Sequence, residues 1–305
     1  MNRPLRIVIV GAAGRLGQAL HRRLAREAEV VGLARGGIDL AAPASIAAAL
    51  EPLEFDRLIL PAAMTAVDAC ETDRETAFAI NAEAPKLIAE ICSAKGAHLT
   101  HVSTDFVFDG TKDGPYHEQD PAEPVSVYGA SKLKGEEHVL AVDPAHLVIR
   151  VSWLYGPGKP AFPEWIVDKA RAESGLALPE DKTGSPTSSV DAAELLLPLL
   201  GGNGRPPAGG IFHLCNSGAC TWRDWGQACL DLARDAGVPL KTREIAANRL
   251  ADIPAFLAKR PPNSVLGNAK YAAVTGTTPR PWHDALRAHF TEGNILRKDL
   301  LAARG

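Results

Sequence analysis

The sequence predicts an α/β fold, a doubly wound parallel sheet with a smaller C-terminal α/β unit, and three observations carry the prediction. Short apolar runs alternate with segments of helical spacing through the first half of the chain. The runs are continuous rather than alternating, as in strands covered on both faces. The length of 305 residues exceeds what one compact core usually holds, so a large first unit and a smaller second one follow.

Residues 5–10 form the first run. Leu16, Ala19, Leu20 and Leu24 follow at helical spacing. Residues 30–33 read as the second strand, 46–50 as a helix and 58–60 as the third strand. Helical spacing returns over 75–92 through Ala79, Ile80, Leu87, Ile88 and Ile91. Residues 98–103 form a fourth strand, despite Thr100 and His101. A helix over 128–140 and a fifth strand over 147–151 complete the alternation. Beyond residue 156 Pro and Gly become frequent, in 156–163 and 201–210, before a strand at 211–214 and a helix at 225–235. Residues 1–155 are therefore expected to form the first unit. Residues 156–305 form the second, with roughly 185–230 returning to the first.

Composition narrows the function classes. Charged residues make up 23% and the formal net charge is −3, with no polybasic tail, so nucleic acid is not an expected partner. No run approaches about 18 apolar residues, so no membrane span is expected. The apolar run near the N-terminus is too short for a secretory signal and leads into a glycine loop. A soluble cytoplasmic protein is the expectation, and a homodimer is compatible with it. Cys70, Cys92, Cys215, Cys220 and Cys229 contain no C-x-x-C and read as buried thiols. Neither they nor the histidines fall at metal-ligand spacing, and the acidic residues Asp109, Asp113, Glu118 and Asp120 lack calcium-loop register. No metal is expected.

The first strand ends in Gly11-Ala-Ala-Gly14-Arg15-Leu16-Gly17. Glycines there permit a tight turn and let backbone amides approach a pyrophosphate, and the next helix adds its positive N-terminal end. Strand, glycine loop and helix together predict a Rossmann-like dinucleotide site. The second strand is followed by Ala34-Arg35, with no acid at its tip. An acid there would grip the ribose 2′-OH of NAD, whereas arginine suits a 2′-phosphate. NADPH is the expected cofactor, with Arg35 as ligand, Arg15 as an auxiliary and NADH as the lesser option.

Tyr128-Gly-Ala-Ser-Lys132 is a Y-x-x-x-K pair. On a helix the two side chains share a face, so the ammonium is expected to lower the phenol toward a working pKa and to hold the nicotinamide ribose. Ser103-Thr104 ends the fourth strand, where a doubly wound sheet keeps its ligand. The expected roles are Tyr128 as proton donor to a new alkoxide, Lys132 as its tuner and Thr104 as the hydroxyl that polarises a ketone. Ser103 is expected to orient.

The G-x-x-G-x-x-G spacing is similar to that of the extended short-chain dehydrogenases. Beyond it the chain resembles the dTDP-4-dehydrorhamnose reductase family over most of its length. The resemblance rests on Thr65-Ala-Val-Asp68 with Glu71, Asn81-Ala-Glu-Ala-Pro85, Ser103-Thr-Asp-Phe-Val-Phe-Asp-Gly110 and Pro124 through Glu136. Further on come Arg150-Val-Ser-Trp-Leu-Tyr-Gly156, Gly184-Ser-Pro-Thr187, Thr221-Trp222, the stretch from Arg260 through Ser264 to Leu266, and Lys270. It implies NADPH-dependent reduction of the 4-keto group of dTDP-4-dehydro-L-rhamnose to dTDP-L-rhamnose. Two other readings stay open: a 4-ketoreductase for another nucleotide deoxysugar, and a non-catalytic NADP-binding subunit. The resemblance further implies that Val67, Thr104, Asp105, Phe106 and Trp153 line the sugar pocket. Arg260, Asn263 and Ser264 would lie near the nucleotide or its diphosphate. Asp39 and Leu40 would lie under the adenine, and Ala62, Ala63 and Met64 would border the cofactor. Three departures stand out: Phe106 replaces a tyrosine, Pro61-Ala-Ala-Met64 replaces an asparagine-led turn, and Pro262 replaces a glycine.

Overall fold

The structure is a computed structural model that describes residues 3–202, 205–253 and 255–292. Six strands build one parallel sheet: β1 (Arg6–Val10), β2 (Glu29–Leu33), β3 (Arg57–Leu60), β4 (His98–Thr104), β5 (Leu147–Val151) and, from far along the chain, β10 (Gly210–His213). Their spatial order is β2-β1-β3-β4-β5-β10. The alternation within β1 shows why its apolar run is unbroken. Ile7 and Ile9 enter one buried cluster with α1 (Arg15–Leu24), whereas Val8 and Val10 enter another with α2 (Pro43–Leu50) and α5 (Ala84–Ala94). Both faces of the sheet are thus covered.

The chain leaves β1 for β2 on one side and reaches β3 on the other, so the strand order reverses between β1 and β3. Open α/β sheets form their ligand crevice at such a switch, beyond the C-terminal ends of the strands. Two short helices follow β3, α3 (Val67–Thr72) and α4 (Arg74–Phe78). The single helix expected over 75–92 is divided: a π-helical turn at Ala79–Glu83 joins α4 to α5. The bulge places Asn81 inward, where it is buried. The long helix α6 (Val127–Val142) then leads to β5.

The second core contains Tyr155, Ile166, Trp225, Leu230 and Phe290. It gathers α7 (Phe162–Ala172), α9 (Trp222–Asp235) and α11 (Trp282–Glu292) beside a parallel pair of β7 (Leu176–Pro179) and β12 (Ile245–Asn248). Helix α9 begins three residues before the expected start because Thr221 and Asp224 form a reciprocal capping box. Two-residue ladders join β6 (Leu154–Tyr155) to β9 (Thr187–Ser188) and β8 (Thr183–Gly184) to β11 (Cys220–Thr221). Of the stretch 185–230, α8 (Ser189–Leu196) and β10 pack with the large sheet, whereas α9 packs with α7. Tyr271, on α10 (Ala269–Thr275), packs with the large sheet as well. Among the described residues, no helix is long and apolar enough to cross a membrane, and no group of three or more His, Cys, Asp or Glu side chains is placed to hold a metal.

Candidate active site

The crevice at the β1/β3 switch is a cleft of about 600 Å³. Gly11, Arg35, Asp39, Leu40, Ala62, Ala63 and Met64 line it, together with Ala34, Ile38, Thr76 and Ile80, which the motif reading missed. Gly11 has φ +101°, and a Cβ there would lie 2.8 Å from Ala62 N, so the two strand ends can meet only at glycine. Gly17 serves helix packing, since a Cβ would overlap Gly11 O and reach Ala12 Cα at 2.9 Å. The amides of Gly11 and Ala12 both donate to Leu33 O, and that of Gly14 donates to Gly11 O. These three are thereby taken. The amides that can meet a pyrophosphate are the first ones of α1, which a helix leaves without internal partners. Leu16 is buried on the inner face of α1.

Arg15 is placed differently from its expected role. Its guanidinium donates to Leu154 O at 3.2 Å, Lys159 O at 3.3 Å and Pro160 O at 2.9 Å, tying the glycine loop to the chain after β6. Both of its terminal nitrogens are thus engaged by backbone carbonyls. Arg35, exposed at the edge of the cleft, remains the cation there. The Asp39 carboxylate accepts from Ala41 N at 2.9 Å, so it stabilises its own turn.

Asn81 is the functional residue whose role was not legible in its motif. Its Oδ1 accepts from Met64 N at 2.8 Å, while Nδ2 donates to Met64 O and Ser131 Oγ, both at 3.0 Å. The side chain therefore clamps the loop after β3 to α6. Gly135 lacks a Cβ where the Asn81 carbonyl presses on the helix.

Helix α6 is started by Ser126, whose Oγ accepts from Gly129 N at 3.2 Å, and by Glu71, which accepts from Val127 N at 2.8 Å. These caps set Tyr128 in the first turn. It shares an apolar cluster with Val67, Met64 and Phe106, whose ring lies 5.5 Å from its own between centroids. Met64, of the same cluster, also lines the cleft at the switch, whereas Tyr128, Thr104 and Lys132 are not among its lining residues. Burial pushes the phenol well above its usual range, and Thr104 offsets this only in part. The expected lowering by Lys132 is not what the packing gives. Lys132 Nζ donates to Val102 O at 2.7 Å and to His101 Nε2 at 3.2 Å, so the ammonium is turned toward β4. Burial pushes Lys132 down to about 7, against a pull from Glu136.

Ser103 likewise departs from expectation. Its hydroxyl donates to Glu136 rather than facing the cleft. Glu136 is paired in turn with Arg150, through Nε at 2.9 Å and Nη2 at 2.6 Å, and both side chains are almost wholly buried. Thr104 donates to Asp105 Oδ1 at 3.1 Å, and Ser152 donates to Asp105 Oδ2 at 2.9 Å. Asp105 is buried, which pushes its carboxyl up against several hydrogen-bond donors.

Trp153 holds a left-handed backbone, φ +43°, rare for a bulky residue and characteristic of functional sites. Its ring stacks on Trp225 at 5.4 Å and lies where a side chain at Gly184 would be. Arg260 is held by the Asp68 carboxylate, 2.7 Å from Nη2 and 3.1 Å from Nη1, and lies 3.6 Å over the Phe256 ring. Its forked face, expected on a diphosphate, is thus already engaged. The pair ties α3, beside Val67, to a second cleft of about 470 Å³ lined by Val125, Ile253, Phe256, Leu257 and Arg260. Asn263 Nδ2 donates to Lys112 O and Gly114 O, and its Oδ1 accepts from Thr183 Oγ1 and Val265 N. Every polar atom of that side chain serves the loops. Ser264 is fully buried and accepts from Lys182 Nζ at 2.9 Å, a lysine that sequence reading passed over.

Comparison with known proteins agrees with this geometry. A family model described as the RmlD substrate binding domain matches residues 5–295. The chain is 37% identical over 293 residues to a probable dTDP-4,6-dihydroxy-2-methyloxan-3-one 4-ketoreductase of Streptomyces antibioticus, covering 94% of this chain and 95% of that one. It is 31% identical over 293 residues to the dTDP-4-dehydrorhamnose reductase of Salmonella typhimurium, covering 94% and 98%. The crystal structure of a dTDP-4-dehydrorhamnose reductase from Clostridium acetobutylicum superposes with a TM-score of 0.86 at 31% identity, over 95% of this chain and all of that one. A Bacillus anthracis dTDP-4-dehydrorhamnose reductase in complex with NADP gives the same score at 26% identity, with the same coverage. With the family model spanning nearly the whole chain, and sheet, glycine loop and tyrosine–lysine helix in place, the protein belongs to the dTDP-4-dehydrorhamnose reductase family.

Proposed function

We propose that the protein uses NADPH to reduce the 4-keto group of a dTDP-activated 6-deoxysugar, with dTDP-4-dehydro-L-rhamnose as substrate and dTDP-L-rhamnose as product. The observation that carries this reading is the buried Tyr128 phenol, in the first turn of α6 and in one apolar cluster with Met64, a residue that lines the cleft at the sheet's switch point. The cleft fits a dinucleotide. Its floor at Gly11 has no room for a Cβ, its volume of about 600 Å³ suits a large ligand, and α1 begins four residues after Gly11.

When bound, the nicotinamide supplies the hydride. The protein's part is to place the ketone and give the proton. Tyr128 donates to the carbonyl oxygen, and Thr104, on turning its single proton from Asp105 to the substrate, adds a second donor that stabilises the charge growing there. Because burial keeps the phenol protonated, Tyr128 is suited to act as the acid. Lys132, already a donor to Val102 O, can turn one of its N–H groups to a ribose hydroxyl. Val67, Phe106 and Trp153 give the deoxysugar apolar walls. Arg35 favours the 2′-phosphate of NADPH over NADH.

A second reading draws on the Streptomyces antibioticus relative, which is more similar in sequence than the Salmonella reductase: the substrate is another dTDP-4-keto sugar. Following NADPH absorbance with a panel of dTDP-4-keto-6-deoxysugars separates the two. Oxidation with dTDP-4-dehydro-L-rhamnose is expected. A clear preference for a different sugar would install the second reading, and tight NADP binding without oxidation of any would favour a non-catalytic subunit.

A further inference from the structure

A histidine in the middle of a parallel sheet breaks the apolar rule for such strands, and its surroundings show what it meets there. His101 shares a face of β4 with Leu99, which lies in the cluster covered by α5 and α6. The side chain is fully buried on that face, and its Nε2 lies 3.2 Å from Lys132 Nζ. A Cβ at Gly135 would come within 3.3 Å of the same nitrogen, so the bare position on α6 gives the ring its room. The Nδ1 atom is buried and has no hydrogen-bond partner among the described residues. An unpaired polar atom in a core is costly, and an apolar residue at 101 would remove that cost. What the histidine alone supplies is the contact with Lys132.

Counting protons gives the contact its direction. Burial, and then the Lys132 charge, push the imidazole well below its ordinary range, so the ring is neutral and one of its nitrogens carries a lone pair. An ammonium has three N–H donors and no acceptor. Val102 O takes one of them at 2.7 Å, and His101 Nε2 takes the second. Glu136, one turn along α6, is already engaged by Arg150 and Ser103. Two acceptors on neighbouring residues of β4 therefore hold the place and the rotation of Nζ, and so set the direction of its remaining N–H.

We infer that His101 is a positioning residue for the reduction: as the Nδ1–H tautomer it accepts a hydrogen bond from Lys132 and, together with Val102 O, fixes the ammonium whose third N–H meets the nicotinamide ribose. The inference rests on the reductase reading and adds to it a residue acting only through Lys132.

NADP calorimetry and steady-state kinetics of His101→Leu and His101→Gln, with and without Lys132→Met, test it in the intact protein. His101→Leu keeps most of the bulk and removes the acceptor. It should weaken NADP binding at least about fivefold and lower kcat about tenfold or more, while KM for the sugar nucleotide stays within about threefold. Glutamine sets an amide oxygen at about the reach of Nε2, so His101→Gln should stay within about threefold of wild type in both readouts. In the Lys132→Met background His101→Leu should weaken NADP less than about twofold further, since residues acting through one another are not additive. A glutamine variant as damaged as the leucine variant, or equal losses in the two backgrounds, would mean a packing defect and overturn the inference. Should His101→Leu fail to fold, NMR of the histidine ring nitrogens decides: the signals that vanish in His101→Gln must show Nδ1 with a proton and Nε2 without one, and a protonated Nε2 overturns the inference. Wild-type protein that binds NADP yet reduces no 4-keto sugar nucleotide would sink the reductase reading instead, and the calorimetric comparison would still decide whether His101 acts through Lys132.

Discussion

Arg150→Met should be among the most damaging single changes away from the cleft. Arg150 and Glu136 have side chains 2% and 1% exposed, and three contacts of 2.6–3.2 Å join them. Methionine fills much of the arginine stem but leaves the Glu136 carboxylate with only the Ser103 hydroxyl from this network. Removing one partner of a buried ion pair costs about 3–5 kcal/mol, most of it from the charge left behind. At roughly 2–4 °C per kcal/mol, the melting temperature should fall by about 6–20 °C, toward the lower end for a chain of this length. Thermal melting followed by circular dichroism measures it. Combining Arg150→Met with Glu136→Gln removes the stranded charge while keeping an acceptor for Ser103, so roughly half of the loss or more should return through non-additivity. A single variant within about 1 kcal/mol of wild type, or a double variant with strictly additive losses, would refute the view that charge isolation governs this network.

Three further outcomes follow from the same contacts. Gly17→Ala drives a methyl group into Gly11 O, so α1 must shift from β1, and NADP affinity measured by calorimetry should fall at least about tenfold, or about 1.4 kcal/mol. Arg35→Ala should raise KM for NADPH about tenfold while leaving KM for NADH within about twofold, since only the 2′-phosphate loses a partner. Asp68 is held at about 2, below the usual 3.8, chiefly by its hydrogen bond to Arg260. A carboxyl lowered by folding adds stability that is complete above its unfolded value and fades as pH falls toward its folded one. Urea unfolding should therefore show Asp68→Asn less stable than wild type at neutral pH, with the gap closing between about pH 4 and pH 2.

The sheet was legible because its chemistry is local and redundant. Continuous apolar runs in β1 and β3 can satisfy only a strand covered on two faces, and the glycines after β1 have few other uses. The pieces that escaped are those that lack local periodicity. The ladders of β6, β8, β9 and β11 are two residues each, too short for any pattern to emerge. Asn81 stood in a recognised motif, yet its clamp on Met64 exists only because a π-turn rotates it inward. Lys182 sits among Glu180, Asp181 and Thr183, where a solvated cation is the natural reading. Its burial comes from Phe106, Trp153 and Ser264, distant in sequence. Arg15 and Arg260 show what position in a motif leaves out. The glycine loop suggested one for a phosphate and the family resemblance the other, and neither shows the carbonyls and the carboxylate of the protein that engage them here.

The central claim is that a buried, protonated Tyr128 delivers the proton when a 4-keto sugar nucleotide is reduced. Turnover of the wild-type protein and of Tyr128→Phe, with NADPH and dTDP-4-dehydro-L-rhamnose, tests it most directly. The phenylalanine variant should bind NADP within about threefold of wild type and lose at least about a hundredfold in kcat, the scale of a positioned proton transfer. A variant that turns over at close to the wild-type rate would contradict the account.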